Sequence, residues 1–533
     1  MKTPLIRLTP RAAAPSVSPF LYSSFAEHFG RCIYDGIWVG PDSDIPNEDG
    51  LRRDTLEALA ELSLPAVRWP GGNWAEYYHW RDGIGPPQER PLRYNIEWGI
   101  PESNAFGTHE YMRFCQAIGS EPYLVLNVAS GTVQEARDWV EYCNSDHDSE
   151  TVRLRRANGQ ERPWRVRFWD VGNESWHSGG QFRAQDYVAA YRRYSNKLRM
   201  LGTGDRDKAS AIRLIACGSC LLYRDWDAEF LAGMKQTPEM LHTVDYISDH
   251  IYQGRDLTDR EFPDDDHYRL LRELDILEAE LRRASALVDA YSTARHPIGL
   301  ALGEWGTWYK GVWITNRFHQ ANTLRDALFT ACGFHLFHTF AGTLHMANMS
   351  MTVNALQCLL QTCGPAAIKT PTYHIFRMYM PHRNGIVLES DLVDAPTLPD
   401  PEAPARPALS VSATASDDGL FVTVVNADLS AGVETVLLLP NAFTPSSVTS
   451  ERLTAHDIRA ENTPADPDAV SPGPADVEMP VRRRCRLHLP ASSVTAVHFR
   501  GQWAYPLADI AAQQAQADLN RRARERSETE VKI

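Results

Sequence analysis

Residues 168–176 read FWDVGNESW and residues 298–309 read IGLALGEWGTWY, and these two segments decide the fold. Each is a short apolar run that ends at a glutamate beside an indole, Glu174 in the first segment and Glu304 in the second. A parallel barrel presents catalytic groups in this way, at the C-terminal ends of its strands. Two carboxylates that face one cavity are also the catalytic groups that cleavage of a glycosidic bond requires. The pair therefore predicts a barrel enzyme that hydrolyses glycosides.

The rest of the first 340 residues alternates between apolar runs and segments with helical spacing. Eight apolar runs lie at residues 20–29, 64–70, 122–128, 167–173, 213–218, 244–250, 298–304 and 334–340. Segments with helical spacing lie at residues 52–62, 109–118, 134–143, 186–200, 267–291 and 318–331. This alternation predicts an α/β fold, a (β/α)₈ TIM barrel. The alternative, a doubly wound open sheet, usually has a phosphate-binding glycine loop, and we find none in the sequence.

The composition changes after about position 391. Residues 391–407, DLVDAPTLPDPEAPARP, are proline-rich and indicate a linker, and short alternating β segments follow them. These segments predict a C-terminal β-sandwich, jelly-roll-like, over residues 386–503, after a catalytic barrel over residues 19–385. The alternating stretch PLIRLTP near the N-terminus predicts that residues 1–18 add a strand to the sandwich. Residues 504–533 are expected to be a helical or disordered tail without function.

Composition restricts the class of partner. The formal charge of −14 argues against binding to nucleic acid or to an anionic membrane. No apolar run approaches the roughly 20 residues of a membrane span, and the N-terminus lacks the apolar core of a signal peptide. A cytoplasmic protein that binds a small, uncharged oligosaccharide is therefore expected.

The cysteines and histidines are the candidate metal ligands of the sequence. The nine cysteines are scattered, and Cys217 and Cys220 form a CxxC without a second pair at zinc-ribbon spacing, which favours reduced core thiols. His335, His338 and His345 lie in an apolar, aromatic stretch, which favours a structural role. The sequence therefore predicts neither a metal site nor a cofactor.

Several polar residues at predicted strand ends suit a two-carboxylate mechanism. Arg68 can place a cation beside one glutamate and keep it ionised, and Tyr252 can donate a hydrogen bond to the same carboxylate. The amide of Asn173 can bond a sugar hydroxyl next to the reacting carbon. Sugars stack on indoles, although we expect about half of the tryptophans near the strand ends to be structural. These tryptophans are Trp69, Trp74, Trp80, Trp98, Trp176, Trp305 and Trp308.

Seven segments, in this order along the chain, resemble glycoside hydrolase family 51. They are AEHFGRCIYDGIWVG, VRWPGGNWAEYYHWRDGIGP, SNAFGTHEYMRFC, WDVGNESW, YISDHIY, GEWGTWY and NTLRDAL. Typical members of that family are intracellular, retaining α-L-arabinofuranosidases. The resemblance runs from about residue 25 to residue 379 and continues more weakly through the β-sandwich. It is the resemblance that supplies arabinose as the sugar.

The resemblance also implies roles for residues of this chain. It makes Glu174 the acid/base and Glu304 the nucleophile, and Tyr252 the residue that steadies the nucleophile. It implies that the sugar pocket is lined by Glu27, Arg68, Asn73 and Asn173, and we add Trp98 and Met351 to the expected lining. It further implies a metal-independent enzyme with a barrel and a β-sandwich, commonly assembled as a hexamer.

This chain departs from the family pattern in three places. The family usually has Asp-Glu-Trp at the nucleophile, where this chain has Gly303-Glu304-Trp305. The family typically has Ala-Gln where this chain has Ser350-Met351, and a thioether cannot replace the amide of the glutamine. The loop KGVWITNRFH, residues 310–319, also differs from the usual one. These differences bear on the choice of sugar more than on the reaction.

The expected function is that of a retaining exo-glycosidase that releases terminal α-L-arabinofuranosyl residues from arabino-oligosaccharides or arabinoxylan fragments. One alternative is another sugar on the same machinery, such as a β-D-galactofuranoside, or a glucan cut internally. A second alternative is a sugar-binding homologue with impaired catalysis. A panel of aryl glycosides distinguishes the first alternative, and sugar binding without turnover distinguishes the second.

Overall fold

Eight parallel strands close into a barrel in the computed structural model, which describes residues 3–11, 14–201, 212–312, 318–507 and 509. The strands, numbered in chain order, are β1 (Leu5–Thr9), β2 (Ser23–Phe25), β3 (Asn47–Glu48), β4 (Leu51–Arg52), β5 (Ala66–Trp69), β6 (Arg93–Asn95), β7 (Ile100–Glu102), β8 (Glu121–Leu126), β9 (Phe168–Val171), β10 (Arg213–Cys220), β11 (Tyr246–Gln253), β12 (Gly299–Thr307), β13 (Leu344–Ser350), β14 (Leu360–Cys363), β15 (Ala366–Lys369), β16 (Ile386–Val393), β17 (Leu409–Ser416), β18 (Gly419–Asn426), β19 (Val433–Leu438), β20 (Phe443–Thr454), β21 (Gly473–Pro474), β22 (Arg484–Leu489) and β23 (Ser493–Trp503). The barrel order is β2-β5-β8-β9-β10-β11-β12-β13, and β13 closes onto β2.

Helices follow most of the barrel strands. They span Arg53–Leu62, Thr108–Ile118, Val133–Asn144, Glu150–Ala157, Ala184–Leu201, Trp226–Lys235, Pro238–Leu241, Asp264–Tyr291, Leu324–Thr339 and Pro371–Tyr379. The longest, Asp264–Tyr291, buries Leu270, Leu274, Leu277 and Leu281 on one face, as their spacing of three and four residues requires. Within the described ranges, none of the helices combines the length and apolarity that a bilayer span requires.

Seven of the eight predicted barrel strands overlap the observed ones, and the prediction for residues 334–340 was wrong. That run is the end of the helix Leu324–Thr339, and the eighth strand is β13. The helix is buried on nearly all sides, because it packs between the barrel and the C-terminal sheet. An apolar run without polar interruption is compatible with either a strand or a buried helix, so periodicity alone could not separate them.

The barrel interior is filled from below by side chains of five strands. Tyr123, Phe168, Ile215, Ala301 and Met346 form one cluster, and each of them is at most 1% exposed. A barrel of this size has a packed core rather than a pore, so polar groups have space only at its C-terminal end. The site described below lies at that end.

The C-terminal domain is one nine-stranded sheet in the order β21-β20-β23-β18-β17-β16-β1-β19-β22. The first strand, β1, lies within it, antiparallel to β16 and parallel to β19. Ile6 and Leu437 from one half of the sheet share an apolar core with Val422 and Phe499 from the other half. The halves thus pack as the two layers of a sandwich. The expected tail, residues 504–533, lies almost entirely outside the described residues.

Candidate active site

The sequence-predicted site residues converge at the C-terminal ends of the barrel strands. Glu304 and Tyr252 lie near the ends of β12 and β11, and Arg68 lies near the end of β5. Asn173 and Glu174 follow β9, Glu27 follows β2, and Met351 directly follows β13. Asn73 and Trp98 come from the long segment between β5 and the next barrel strand, β8.

Glu304 is held at both carboxylate oxygens. Arg68 Nη1 donates to its Oε1 at 3.0 Å, and the Tyr252 hydroxyl donates to its Oε2 at 2.7 Å. Arg68 is fully buried, and its other nitrogens donate to Asn173 Oδ1 at 2.7 Å and to Asp170 Oδ2 at 3.3 Å. Burial opposes the charge of Arg68, but the carboxylates of Asp170 and Glu304 raise its pKa. Glu304 therefore faces a buried guanidinium at one carboxylate oxygen and a phenol at the other.

Glu174 is paired with a histidine that the sequence analysis did not select. His250 Nδ1 lies 3.0 Å from Glu174 Oε1 and 3.5 Å from Glu304 Oε1. Burial would lower the pKa of His250, yet the two glutamates raise it above its ordinary value of 6.5. Burial would raise the pKa of Glu174, but the hydrogen bond and charge of His250 lower it. The geometry thus couples His250 to both glutamates.

A sequence signal for His250 was available. His250 and Tyr252 stand two residues apart on β11, and alternate residues of a strand point to the same face. Once Tyr252 is assigned to the site, His250 follows from that periodicity.

The distance between the two glutamates is short. One carboxylate oxygen of Glu174, one ring nitrogen of His250 and one carboxylate oxygen of Glu304 all lie within 4.8 Å of one another. Among the described residues this trio is also a group whose donor atoms could hold a metal ion. A carboxyl separation of about 5 Å is typical of glycosidases that use one carboxylate as a nucleophile and the other as an acid/base.

Glu27 lies on the other side of Glu304 and is buried. Its Oε1 accepts hydrogen bonds from the Trp74 backbone N–H and from Trp98 Nε1, both at 2.9 Å. Burial and the charge of Glu304 raise the pKa of Glu27 to about 8, although the hydrogen bonds from Trp74 and Trp98 lower it. The carboxyl group therefore keeps its proton at neutral pH and can donate a hydrogen bond.

Gly72 explains how the two carboxyl groups come so close to the backbone. A Cβ atom at position 72 would lie 3.0 Å from Glu304 Oε1 and 3.2 Å from Glu27 Oε2. Its neighbour Gly71 has φ +150°, and a Cβ there would lie 2.4 Å from Glu27 Cγ. Both glycines of the WPGG segment are thus required by close approach.

A buried carboxyl group that sequence reasoning missed positions Asn173. Glu76 is fully buried and accepts backbone N–H bonds from Val128 at 2.6 Å, Ala129 at 2.7 Å and Asn173 at 2.5 Å. It therefore ties the loops that follow β8 and β9 to each other. The Asn173 amide also lies 3.4 Å from Asn73 Oδ1. No local motif indicates Glu76, because its partners are 52 to 97 residues away.

The Ser350-Met351 departure adds a hydroxyl to the site. Tyr252 Oη lies 2.9 Å from Ser350 Oγ as well as 2.7 Å from Glu304. A phenol has one proton, so if Tyr252 donates to Glu304, Ser350 must donate to Tyr252. Met351 is fully buried. Residues 313–317 of the unusual loop 310–319 lie outside the described residues.

The Gly303 departure is explained by space. A Cβ atom at position 303 would lie 2.1 Å from Ser248 Oγ and 2.7 Å from His250 Nε2. An aspartate cannot be accommodated there unless both side chains move. The missing side chain at position 303 thus makes room for His250 beside the glutamates.

Comparison with known proteins identifies the same family in both halves of the chain. Residues 58–270 match the family model of the alpha-L-arabinofuranosidase 1 domain. Residues 303–493 match the model of the alpha-L-arabinofuranosidase C-terminal domain. Together the two matches include Arg68, Glu174, Tyr252 and Glu304.

Individual relatives match over nearly their whole length. An intracellular exo-alpha-L-arabinofuranosidase of Bacteroides ovatus is 36% identical over 489 residues, which cover 90% of this chain and 92% of that protein. The crystal structure of a GH51 arabinofuranosidase from Xanthomonas axonopodis pv. citri superposes with a TM-score of 0.85 at 33% identity. A Thermotoga maritima alpha-L-arabinofuranosidase, solved as an arabinose complex, gives a TM-score of 0.80 at 28% identity. Each comparison structure is covered completely, by 93% of this chain. The barrel, the paired glutamates and these matches establish that the chain belongs to glycoside hydrolase family 51.

Proposed function

We propose that this protein is a retaining exo-glycosidase that releases terminal α-L-arabinofuranosyl residues from arabino-oligosaccharides or arabinoxylan fragments. The observation that carries the retaining mechanism is the short separation of Glu174 and Glu304, which have carboxylate oxygens within 4.8 Å of each other. The sugar and the exo action rest on the names of the relatives, such as the exo-alpha-L-arabinofuranosidase of Bacteroides ovatus.

In the first step Glu304 attacks the anomeric carbon of the arabinofuranosyl residue. The bond from that carbon to the leaving oxygen breaks, and Glu174 transfers a proton to this oxygen. Arg68 and Tyr252 orient the attacking carboxylate through one hydrogen bond to each of its oxygens. The product of this step is a glycosyl ester on Glu304 and a free alcohol.

Glu174 must be protonated for this step, although His250 lowers its pKa in the free protein. In this mechanism the required proton comes from His250 Nδ1, which lies 3.0 Å from Glu174 Oε1. Its transfer along this hydrogen bond protonates the Glu174 carboxylate and leaves His250 neutral, and Glu174 passes the proton on as the leaving oxygen gains negative charge. His250 is thus a positioning residue that also stores the catalytic proton.

In the second step Glu174 removes a proton from a water molecule, which attacks the anomeric carbon. The ester bond to Glu304 breaks and arabinose leaves with the configuration that it had in the substrate. Two displacements at one carbon restore the original configuration, which defines a retaining enzyme.

The remaining residues are proposed to bind the sugar. Asn173 can bond a hydroxyl next to the reacting carbon, and protonated Glu27 can donate to a sugar oxygen. Asn73 and Trp98 complete this side of the pocket. Met351 has no amide and is fully buried, so we do not place it in contact with the sugar.

The test is hydrolysis of 4-nitrophenyl α-L-arabinofuranoside by the wild type, Glu304→Ala and Glu174→Ala. We expect turnover by the wild type and a loss of several orders of magnitude in Glu304→Ala. Glu174→Ala should lose about 10²- to 10⁴-fold on substrates with poor leaving groups, but less on 4-nitrophenyl glycosides, whose leaving group needs little protonation.

Azide separates the two roles, because it can replace the missing carboxylate or water as a nucleophile. It should yield an arabinosyl azide of retained configuration from Glu174→Ala and of inverted configuration from Glu304→Ala. Wild-type-like turnover by either folded variant would contradict the mechanism. Turnover of a β-D-galactofuranoside alone in an aryl glycoside panel would contradict the sugar.

We also propose that the protein is a cytoplasmic homohexamer. The proposal rests on the family resemblance, and the Bacteroides ovatus relative is itself named intracellular. Light scattering after size exclusion should give a mass of six chains. A monomer or dimer at micromolar concentration would contradict the hexamer, and recovery in a periplasmic or culture fraction would contradict the location.

A further inference from the structure

Arg255 lies over two aromatic rings at the site. Its Cζ is 4.0 Å from the ring centroid of Trp308 and 5.3 Å from that of Tyr252. Tyr252 is the residue that donates to Glu304, and its ring meets Trp308 edge-on at 5.2 Å. Arg255 is therefore separated from the reacting carboxylate by a single side chain.

The backbone holds Arg255 in this place. Gly254 has φ +76°, and a Cβ there would lie 2.8 Å from the Tyr309 ring, so the turn requires glycine. The Gly254 N–H donates to Glu273 of the long helix at 2.8 Å, and Trp308 N–H donates to Gln253 O at 2.9 Å. Because both sides of the turn are anchored, the position of Arg255 is preorganised.

Arg255 has neither a carboxylate within salt-bridge distance nor a hydrogen-bond acceptor for its guanidinium among the described residues. Arg325 also lies over two aromatic rings, those of Phe262 and Tyr309, but it is fully buried and donates to Thr258 O. Arg255 is instead exposed.

The charge of Arg255 is incompletely compensated. Desolvation lowers its pKa and outweighs the attraction of Tyr252 and of the two glutamates. Arg255 is exposed, whereas Glu304 and Asn173, which contact the arabinosyl group in the proposed function, are buried. Arg255 therefore lies towards the opening of the site, where the leaving group of an exo-acting enzyme extends.

We propose that Arg255 and Trp308 form a subsite for a carboxylate-bearing leaving group, such as an oligosaccharide with a uronosyl residue. The planar guanidinium can bind a carboxylate through two parallel hydrogen bonds, and the indole beneath it can pack against the ring of the same sugar. This inference rests on the proposed function for the side on which the leaving group lies, and it extends that function to acidic substrates.

The test compares two substrates that differ in one charge. They are 4-carboxyphenyl α-L-arabinofuranoside and its neutral methyl ester, and the measured quantity is the ratio of their kcat/KM values in each variant. We expect the Arg255→Met substitution to lower this ratio about 10-fold, because a charge-assisted pair is lost. Arg255→Lys keeps the charge but not the planar guanidinium, so its ratio should lie between those of the wild type and Arg255→Met.

Arg81→Met is the matched control. Arg81 is also exposed, and its Cζ lies 4.6 Å from the Trp80 ring, but it is paired with Asp138 at 3.0 Å. This substitution removes the same charge and a similar stack, and it should leave the ratio unchanged. Raising the salt concentration should lower the wild-type ratio, because an exposed charge is screened.

A binding measurement decides the inference without turnover. Tryptophan fluorescence is used to titrate the wild type and Arg255→Met with methyl β-D-glucosiduronate and with methyl β-D-glucoside. Preference of the wild type for the glucosiduronate, lost in Arg255→Met, supports the subsite. A carboxylate preference that persists in Arg255→Met, or that the wild type lacks, overturns it. Failure of the wild type to cleave either arabinofuranoside overturns the proposed function, and the titration still decides the subsite.

Discussion

Buried histidines in two regions of this protein have opposite electrostatic surroundings. At the mouth of the barrel, His250 lies between two carboxylates, which raise its pKa. Between the barrel and the C-terminal sheet, burial lowers the pKa of His335, His338 and His382. Burial is equally complete in both regions, so the partners determine the direction of the shift.

The partners in the second region are hydroxyl groups. His338 bonds to Tyr22 and Ser412, both at 2.7 Å, and His335 bonds to Ser410 at 2.8 Å and Thr423 at 2.9 Å. A hydroxyl can donate to or accept from a neutral imidazole, but it supplies no charge to hold a second proton. These histidines therefore join the barrel to the sheet as neutral groups, whereas His250 is the proposed proton store.

The largest expected effect in this comparison concerns His250→Asn. The substitution removes the proposed proton store beside Glu174, so kcat/KM should fall by about 10²- to 10⁴-fold. The basic limb of the pH profile of kcat/KM should also move to lower pH. The raised pKa of His250 keeps the proton in the site as pH rises, and a carboxyl group alone releases it earlier.

His335→Asn is the control for this experiment, since it changes an equally buried histidine far from the glutamates. Its activity per folded molecule and its pH profile should match the wild type. An unchanged basic limb in folded His250→Asn would show that His250 does not hold the catalytic proton.

A smaller effect is expected on stability for His338→Gln. The pKa of His338 falls from 6.5 to about 3 on folding, so the unfolded chain binds one more proton between these pH values. This residue's contribution to the free energy of unfolding is therefore complete above pH 6.5 and is lost as the pH falls. Glutamine does not titrate, and at pH 7.5 the variant should be less stable by about 1–3 kcal/mol.

The difference between wild type and His338→Gln should then narrow by about 1.4 kcal/mol for each pH unit below 6.5. Urea unfolding at pH 7.5 and pH 5.5 measures this difference in stability. The contributions of other titrating groups are the same in both proteins and cancel. His488→Gln, at an exposed histidine paired with Glu434, is the control for the substitution itself. If the free energies of unfolding of wild type and His338→Gln changed in parallel with pH, His338 would not be neutral in the folded protein.

The smallest effect is expected for Ser350→Ala. Ser350 acts on Glu304 only through Tyr252, so losing one hydrogen bond should lower kcat/KM by about 2- to 10-fold. In a Tyr252→Phe background the same substitution should have almost no further effect. Additive losses in this double-mutant cycle would show that Ser350 acts independently of Tyr252.

Local patterns were sufficient for most of the fold. Seven barrel strands, the long amphipathic helix and the strands at Leu409–Ser416 and Gly419–Asn426 follow from apolar runs and their spacing. The one wrong strand, residues 334–340, lies in a helix that is buried on nearly all sides, where spacing carries no information about the secondary structure.

The sequence by itself determined the two glutamates, Arg68 and Tyr252 as candidates, because each stands at the end of an apolar run and matches a family motif. It could not determine that His250 lies between the glutamates, that Glu76 ties two loops together, or that Arg255 lies against Trp308. Each of those contacts joins residues that are 52 or more positions apart.

Only the tertiary structure decides such contacts, since barrel closure determines which strand ends face one another. It also decides the charge of each buried group, because burial disfavours the charged form and an oppositely charged partner favours it. The same imidazole is a proton store beside two carboxylates and a neutral structural group beside two hydroxyls.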